Sequence, residues 1–107
     1  MPDVYAIIRD AVLHYLQVVA VYDGLPRELC PHVLGTTNGK PLCLFYQFGG
    51  SSRRGLDVLD PDSSWRCLNI NELSDVTARK GPWHTSANYS RNPQRCVQVV
   101  DVQVLRP

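Results

Sequence analysis

The run Leu42-Cys43-Leu44-Phe45-Tyr46-Gln47-Phe48 limits the fold more than any other stretch. Alternation along a strand sends Leu42, Leu44, Tyr46 and Phe48 to one face and Cys43, Phe45 and Gln47 to the other. Both faces are mostly apolar. A strand of this kind needs cover on both sides, as in a covered sheet or a small closed barrel. The chain has 107 residues to supply that cover, 44% of them apolar and 20% charged. That is enough for a single domain over 1–107 and leaves little for a second core. Collagen-like, coiled-coil and strongly disordered chains are excluded. No apolar run approaches the ~20 residues of a membrane span, so no membrane partner is expected. Lys and Arg number 11 against 10 Asp and Glu, a net charge of +1, which argues against a protein that coats nucleic acid.

The other elements follow from pattern. Val4, Ile7, Ile8, Ala11, Val12 and Tyr15 recur at helical spacing, so a helix is expected over 4–15, with Asp3 as its cap. Val18 to Tyr22 is a β-branched and aromatic run closed by Asp23-Gly24, a strong turn signal. A strand over 27–34 is interrupted by Pro31, which implies an edge, a bulge or a bend. Thr36-Thr37-Asn38-Gly39 is a second turn before the strand at 42–48. Gly49-Gly50-Ser51-Ser52 opens a polar loop running to Ser64. A strand over 65–70 places Arg66, Leu68 and Ile70 on one face. Residues 71–95 are weakly patterned. The final strand, 97–105, sets Val100, Val102 and Val104 on one face. One helix followed by about five short strands favours a mainly β fold: a small barrel or a strongly bent antiparallel sheet, with the helix against one opening.

Met1 to Tyr15 lacks a basic leader, and Arg9 and Asp10 interrupt its apolar residues, so a cytoplasmic location is expected. Cys30, Cys43, Cys67 and Cys96 are widely spaced, with no C-x-x-C pair. Cys30 and His32 form one close pair without a second, so zinc is not expected. Disulfides are not expected in a reducing compartment. Cys43 and Cys67 are therefore expected as small buried residues on strands.

Several segments, in order, resemble a WYL domain. They are Ile8-Arg9-Asp10-Ala11, Val19-Ala20-Val21-Tyr22 with Gly24, and Arg27-Glu28-Leu29-Cys30-Pro31-His32. After them come Asn38-Gly39-Lys40-Pro41-Leu42-Cys43-Leu44 and Trp65-Arg66-Cys67-Leu68-Asn69-Ile70. The resemblance runs from Ile7 to about Val76. It departs from the family at the name triplet, where Pro41-Leu42-Cys43 stands, and no helix-turn-helix domain precedes it. The resemblance implies a divergent, stand-alone member with an Sm-like, SH3-type barrel. It further implies a sensor of nucleic acid, a nucleotide or another anionic ligand, in bacterial transcription regulation or phage defence.

Arg27 and Arg66 match the family's basic strand positions, and His32 follows the matched Pro31. A guanidinium offers a planar fork of donors that suits phosphate or a base edge. The plainer alternative pairs Arg27 with Glu28 or Asp23 on the surface. Tyr46, Gln47 and the Ser51-Ser52 turn form a second cluster, whose backbone N–H groups can cradle an anion beside Arg53 and Arg54. A simple surface loop is the competing reading. No phosphate-binding P-loop is present. Arg79, Lys80, Arg91 and Arg95, interleaved with Trp83, combine charge and flat rings as single-stranded nucleic acid requires. The alternative is a solvated connector with Trp83 packed on the fold.

No G-x-S-x-G, H-E-x-x-H or paired-carboxylate spacing appears, so no catalysis and no cofactor are expected. Asp57, Asp60 and Asp62 lack the spacing of a calcium loop. The expected function is a non-catalytic ligand-sensing module. A protein-interaction or oligomerisation module without a small ligand is the alternative, and the apolar helix stripe and two-faced final strand motivate it.

Overall fold

Two tight turns establish the sheet. Asp23-Gly24 and Asn38-Gly39 hold both central residues at positive φ, 56° and 73° in the first and 53° and 78° in the second. That geometry matches the twist of the flanking strands and belongs to two-residue hairpins. The turns join β1 (Gln17–Tyr22) to β2 (Leu25–Thr37), and β2 to β3 (Lys40–Gly50). The computed structural model describes residues 3–51, 64–86, 89 and 94–104. It adds α1 (Val4–His14), β4 (Trp65–Asn69), β5 (Leu73–Arg79) and β6 (Val99–Gln103), with a 3-10 turn at Ile70–Glu72. The sheet order is β4-β3-β2-β1-β5, with β6 also paired to β2, and all pairings are antiparallel.

The mainly β fold with one amino-terminal helix is as expected. The closed barrel is not: among the described residues β4 and β5 end the sheet without pairing to each other. The structure is an open antiparallel sheet of six strands.

β2 organises it. One edge of this 13-residue strand pairs with β3. The other edge is shared: β1 pairs with Leu25 to Leu29, and β6 with Val33 to Thr36. Cys30, Pro31 and His32 fill the interval between the two partners. Pro31 has no N–H to offer a ladder, and it falls where neither β1 nor β6 pairs with β2. The register against β3 shifts between Pro31 and Val33. Of the three readings of Pro31, the bulge is the one found, in a central strand.

Asp3 caps α1 by accepting from the Tyr5 N–H at 3.0 Å, and the helix stops where Tyr15 turns left-handed at φ 55°. Its buried residues Ile8, Ala11 and Val12 join Leu29, Phe45 and Leu68 of the sheet in one core. Burial of each large apolar side chain there contributes roughly 1.5–3 kcal/mol. Tyr5 and Arg9 tie the helix to β6 through Asp101 Oδ2, at 2.8 and 3.2 Å.

Two expectations need correction. Residues 73–79, read as unpatterned, form β5. Only Leu73 is buried there, and Asp75 bends back at φ 51° beside a register shift in β1, so an edge strand with little burial carries no alternation. Cys67 is not buried but exposed, and it forms a disulfide with Cys96, Cα–Cα 5.6 Å. Cys43 is fully buried as expected. The last strand is shorter than expected, 99–103, and its expected end at Leu105 lies outside the described residues. Val102 and Val104 are buried, while Val100 is 40% exposed.

Gly35 stands where β6 crosses β2. A Cβ there would fall on the Val99 carbonyl oxygen and the Val97 side chain. Gly35→Ala is expected to destabilise the fold by about 1–3 kcal/mol in denaturant unfolding, the usual cost of overpacking.

Candidate functional site

Strand alternation decides which of the expected residues meet. Arg66 lies between Trp65 and Cys67 on β4 and shares a face with Leu68, a core residue. Arg27 alternates with Glu28 on β2 and shares a face with Leu29, also in the core. Gln47 alternates with Tyr46 and follows Phe45 on that same face of β3. Arg27, Gln47 and Arg66 therefore lie on one face of the sheet, toward the end of the core. All three are buried, at 5%, 1% and 5% exposure.

Arg27 donates through Nη1 to Gln47 Oε1 at 3.4 Å and through Nη2 to the Tyr22 carbonyl at 3.3 Å. Its guanidinium carbon lies 5.1 Å from the Tyr22 ring centre, within cation–π range. Both hydrogen bonds are long, and both acceptors are neutral. The buried Nε finds no acceptor among the described residues. None of the ion pairs among the described residues includes Arg27. Burial pushes the guanidinium pKa down, and the nearby charges of Asp23 and Tyr22 oppose this. The expected surface pairing of Arg27 with Glu28 is not found: Glu28 is taken by Arg79 at 2.7 Å. Gln47 also donates to the carbonyls of Gly49 and Ser51, at 3.0 and 2.9 Å. It thereby holds the exit of β3, where Ser51 is exposed. Arg66 Nη1 donates to the Trp65 carbonyl at 3.0 Å.

His32 and Tyr46 do not belong to this face. Trp65 is opposite in phase to Arg66, and His32 packs on Trp65, with ring centres 4.7 Å apart. Trp83 and Tyr89 approach His32 at 5.0 and 4.9 Å, and Tyr46 meets Trp65 at 5.1 Å. His32 is fully buried. One ring nitrogen, Nδ1, lies 2.8 Å from the Cys30 carbonyl, and the other, Nε2, lies 2.9 Å from Thr85 Oγ1. A carbonyl can only accept, so the geometry assigns the proton to Nδ1, and Nε2 accepts from Thr85. Burial lowers the His32 pKa to about 4, and the Cys30 hydrogen bond opposes this. The imidazole is enclosed in an aromatic nest, on the opposite face of the sheet from Arg27.

The remaining expected residues are dispersed. Arg79 ties β5 inward by donating to Gln17 Oε1 at 2.9 Å and to Glu28. Trp83 is half-buried and turned into the nest, also meeting Tyr15 edge-on at 5.2 Å, with its indole N–H buried. Lys80 and Arg95 are exposed. Ser52, Arg53, Arg54 and Arg91 lie outside the described residues.

A cleft of about 480 Å³ opens beside Tyr22, lined by Tyr22, Asp23 and Glu72. Tyr22 donates its hydroxyl to Glu72 at 3.1 Å. This lining is acidic and does not suit an anion. Among the described residues no group of three or more His, Cys, Asp or Glu is arranged to hold a metal ion. Cys30 is a free, buried thiol that accepts from the His84 N–H at 3.3 Å. Burial raises its pKa to about 11, so it is not poised as a nucleophile.

Comparison with known proteins returns nothing: no family model, no curated protein and no solved structure matches the chain. No helix among the described residues is long and apolar enough to cross a membrane.

Sequence reasoning missed Thr85 and Tyr89 as partners of His32, and the Cys67–Cys96 bond. All depend on where the segment after β5 lies, and no local pattern specifies that.

The His32 shift has a sign. Between about pH 6.5 and about pH 4 the unfolded chain protonates His32 while the folded one does not. Its contribution is fully present above pH 6.5 and is lost as pH falls through about 4, up to roughly 3 kcal/mol. Chemical denaturation at stepped pH checks this: His32→Gln is expected to be weaker at pH 7 and to show a flatter slope between pH 6.5 and 4.

Proposed function

We propose that this chain is a non-catalytic ligand-binding module that takes a phosphate-bearing ligand, a nucleotide or short single-stranded nucleic acid, at the face carrying Arg27, Gln47 and Arg66. One observation carries the reading. Arg27 is a buried cation held by two long bonds to neutral acceptors, with its Nε unsatisfied among the described residues. The Tyr22 ring and the nearby Asp23 charge offset part of the cost of burying this cation, and an anion at the Nε edge would offset more. Arg66 lies on the same face of the sheet, opposite Phe45. The WYL-like resemblance supports the same class of ligand. The SH3-type barrel of that family would need the two end strands to close on each other, and the proposal rests on the sheet face alone.

The regulatory role implied by the resemblance, in bacterial transcription or phage defence, would couple ligand occupancy to a partner protein. That coupling requires the ligand to favour one of two states. A cytoplasmic setting fits this role only if the Cys67–Cys96 bond is reversible, because persistent disulfides belong to oxidising compartments.

A second reading, an interaction or oligomerisation module, is favoured by β6. Val99 and Val100 are 67% and 40% exposed there. Sedimentation at rising concentration separates the readings: a chain that stays monomeric speaks against self-association through β6.

The direct test is anisotropy of a labelled oligothymidylate, with ATP as competitor, across a salt series. Affinity is expected to fall as salt rises. Arg27→Gln is expected to weaken binding roughly tenfold or more, the scale of a charge-assisted hydrogen bond. Circular dichroism confirms that the variant folds, and Arg27→Lys, which keeps the charge but loses the fork, is expected to fall between. Wild-type affinity retained in a folded Arg27→Gln removes the site.

A further inference from the structure

We propose that Cys67–Cys96 is a structural disulfide formed outside the reducing cytoplasm, so that the working form of this chain belongs to an oxidising compartment. The chain has four cysteines, and the fold sorts them into two kinds. Cys67 and Cys96 are bonded to each other, Cα–Cα 5.6 Å. Cys30 and Cys43 are free and fully buried. Burial pushes both free thiols up, Cys30 to about 11, so neither supplies a thiolate that could open the bond from within.

The bond joins parts of the sheet that no ladder joins. β3 and β2 lie between β4 and β6 in strand order. Cys67 stands in β4 opposite Leu44 of β3. Cys96 precedes β6, and its carbonyl accepts from the Thr37 hydroxyl at the end of β2, at 2.8 Å. The bond thus ties the β4 edge to the lead-in of β6, across a separation of 29 residues. Both ends are fixed in hydrogen-bonded backbone. Beside Cys96, the Val97 N–H donates to Gln94 Oε1 at 2.8 Å and the Gln98 N–H to the Thr36 carbonyl at 3.2 Å. Between the two cysteines, Trp83 and Tyr89 pack on the core and Ser86 is buried. A crosslink between ends already in place acts mainly on the unfolded chain. For a loop of this length it raises the folded-to-unfolded ratio roughly a hundredfold. Oxidoreductase disulfides join close pairs of the C-x-x-C kind, whereas this one joins a strand to a distant segment.

Exposure decides the compartment. Cys67 is exposed, so a cytoplasmic thiol pool would reach its sulfur and reduce the bond. A crosslink that carries stability is kept where that pool is absent. The oxidant is a disulfide-bonded donor. The Cys67 thiolate attacks a donor sulfur, forms a mixed disulfide and expels the donor's first thiolate. The Cys96 thiolate then attacks Cys67 Sγ, closes the bond and expels the second. Two electrons pass to the donor, and the two protons lost by the protein thiols complete the donor's dithiol. Arg27 lies on the opposite face of the sheet, so ligand binding there is compatible with either compartment. An intracellular regulatory role is not.

Two experiments on the full chain test this. In the first, the cells that make it are fractionated in iodoacetamide, each fraction is unfolded in the same reagent, and intact mass counts the adducts on the chain. Two adducts, in a fraction outside the cytoplasm, are expected. Four adducts, or a bonded chain confined to the cytoplasm, overturns the proposal. In the second, the purified chain is unfolded in guanidinium chloride with and without dithiothreitol. Reduction is expected to lower the folded-to-unfolded ratio roughly a hundredfold, and loss of folding on reduction meets the same expectation. Cys67→Ser with Cys96→Ser is expected to match the reduced protein and to ignore dithiothreitol. Unchanged stability on full reduction overturns the structural role.

Discussion

The two hydrogen bonds of one buried imidazole tie β2 to the segment after β5 at the point where an edge of β2 changes partners. β2 hands one edge from β1 to β6, and in that interval the backbone has no regular ladder on that side. His32 fills the interval. It bonds back to the Cys30 carbonyl and across to Thr85, and three rings, Tyr46, Trp83 and Tyr89, gather around it and Trp65. Were the ring charged, burial among aromatic groups would penalise it heavily. Protonation of this ring therefore works against the fold.

That anchor separates the molecule chemically. The face under α1 carries the core and, toward its end, Arg27, Gln47 and Arg66. The other face carries the aromatic nest and its disulfide-bonded cover. Strand alternation keeps the two faces apart even where their residues are neighbours in sequence, as at Trp65, Arg66 and Cys67.

The hairpins were legible because Asp-Gly and Asn-Gly state their own backbone geometry. β3 was legible because an alternation that is apolar on both faces has few uses. The family resemblance pairs Arg27 with Arg66, while Gln47 falls with Tyr46 in another cluster; that Gln47 meets Arg27 depends on the register of β2 against β3. Only the family resemblance groups His32 with Arg27; alternation along β2 puts positions 27 and 32 on opposite faces, as found. β5 was illegible because an edge strand with one buried residue has no pattern to display. The Cys67–Cys96 pair was illegible for another reason: contact between β4 and the lead-in to β6 is a property of the assembled sheet, and widely spaced cysteines carry no trace of it.

Nitrogen-15 NMR of the His32 ring at pH 6 tests the central claim most directly. The account requires a neutral ring protonated at Nδ1, unchanged when pH is lowered from 7 to 5. An imidazolium signal at pH 6, or a ring protonated at Nε2 alone, would contradict it.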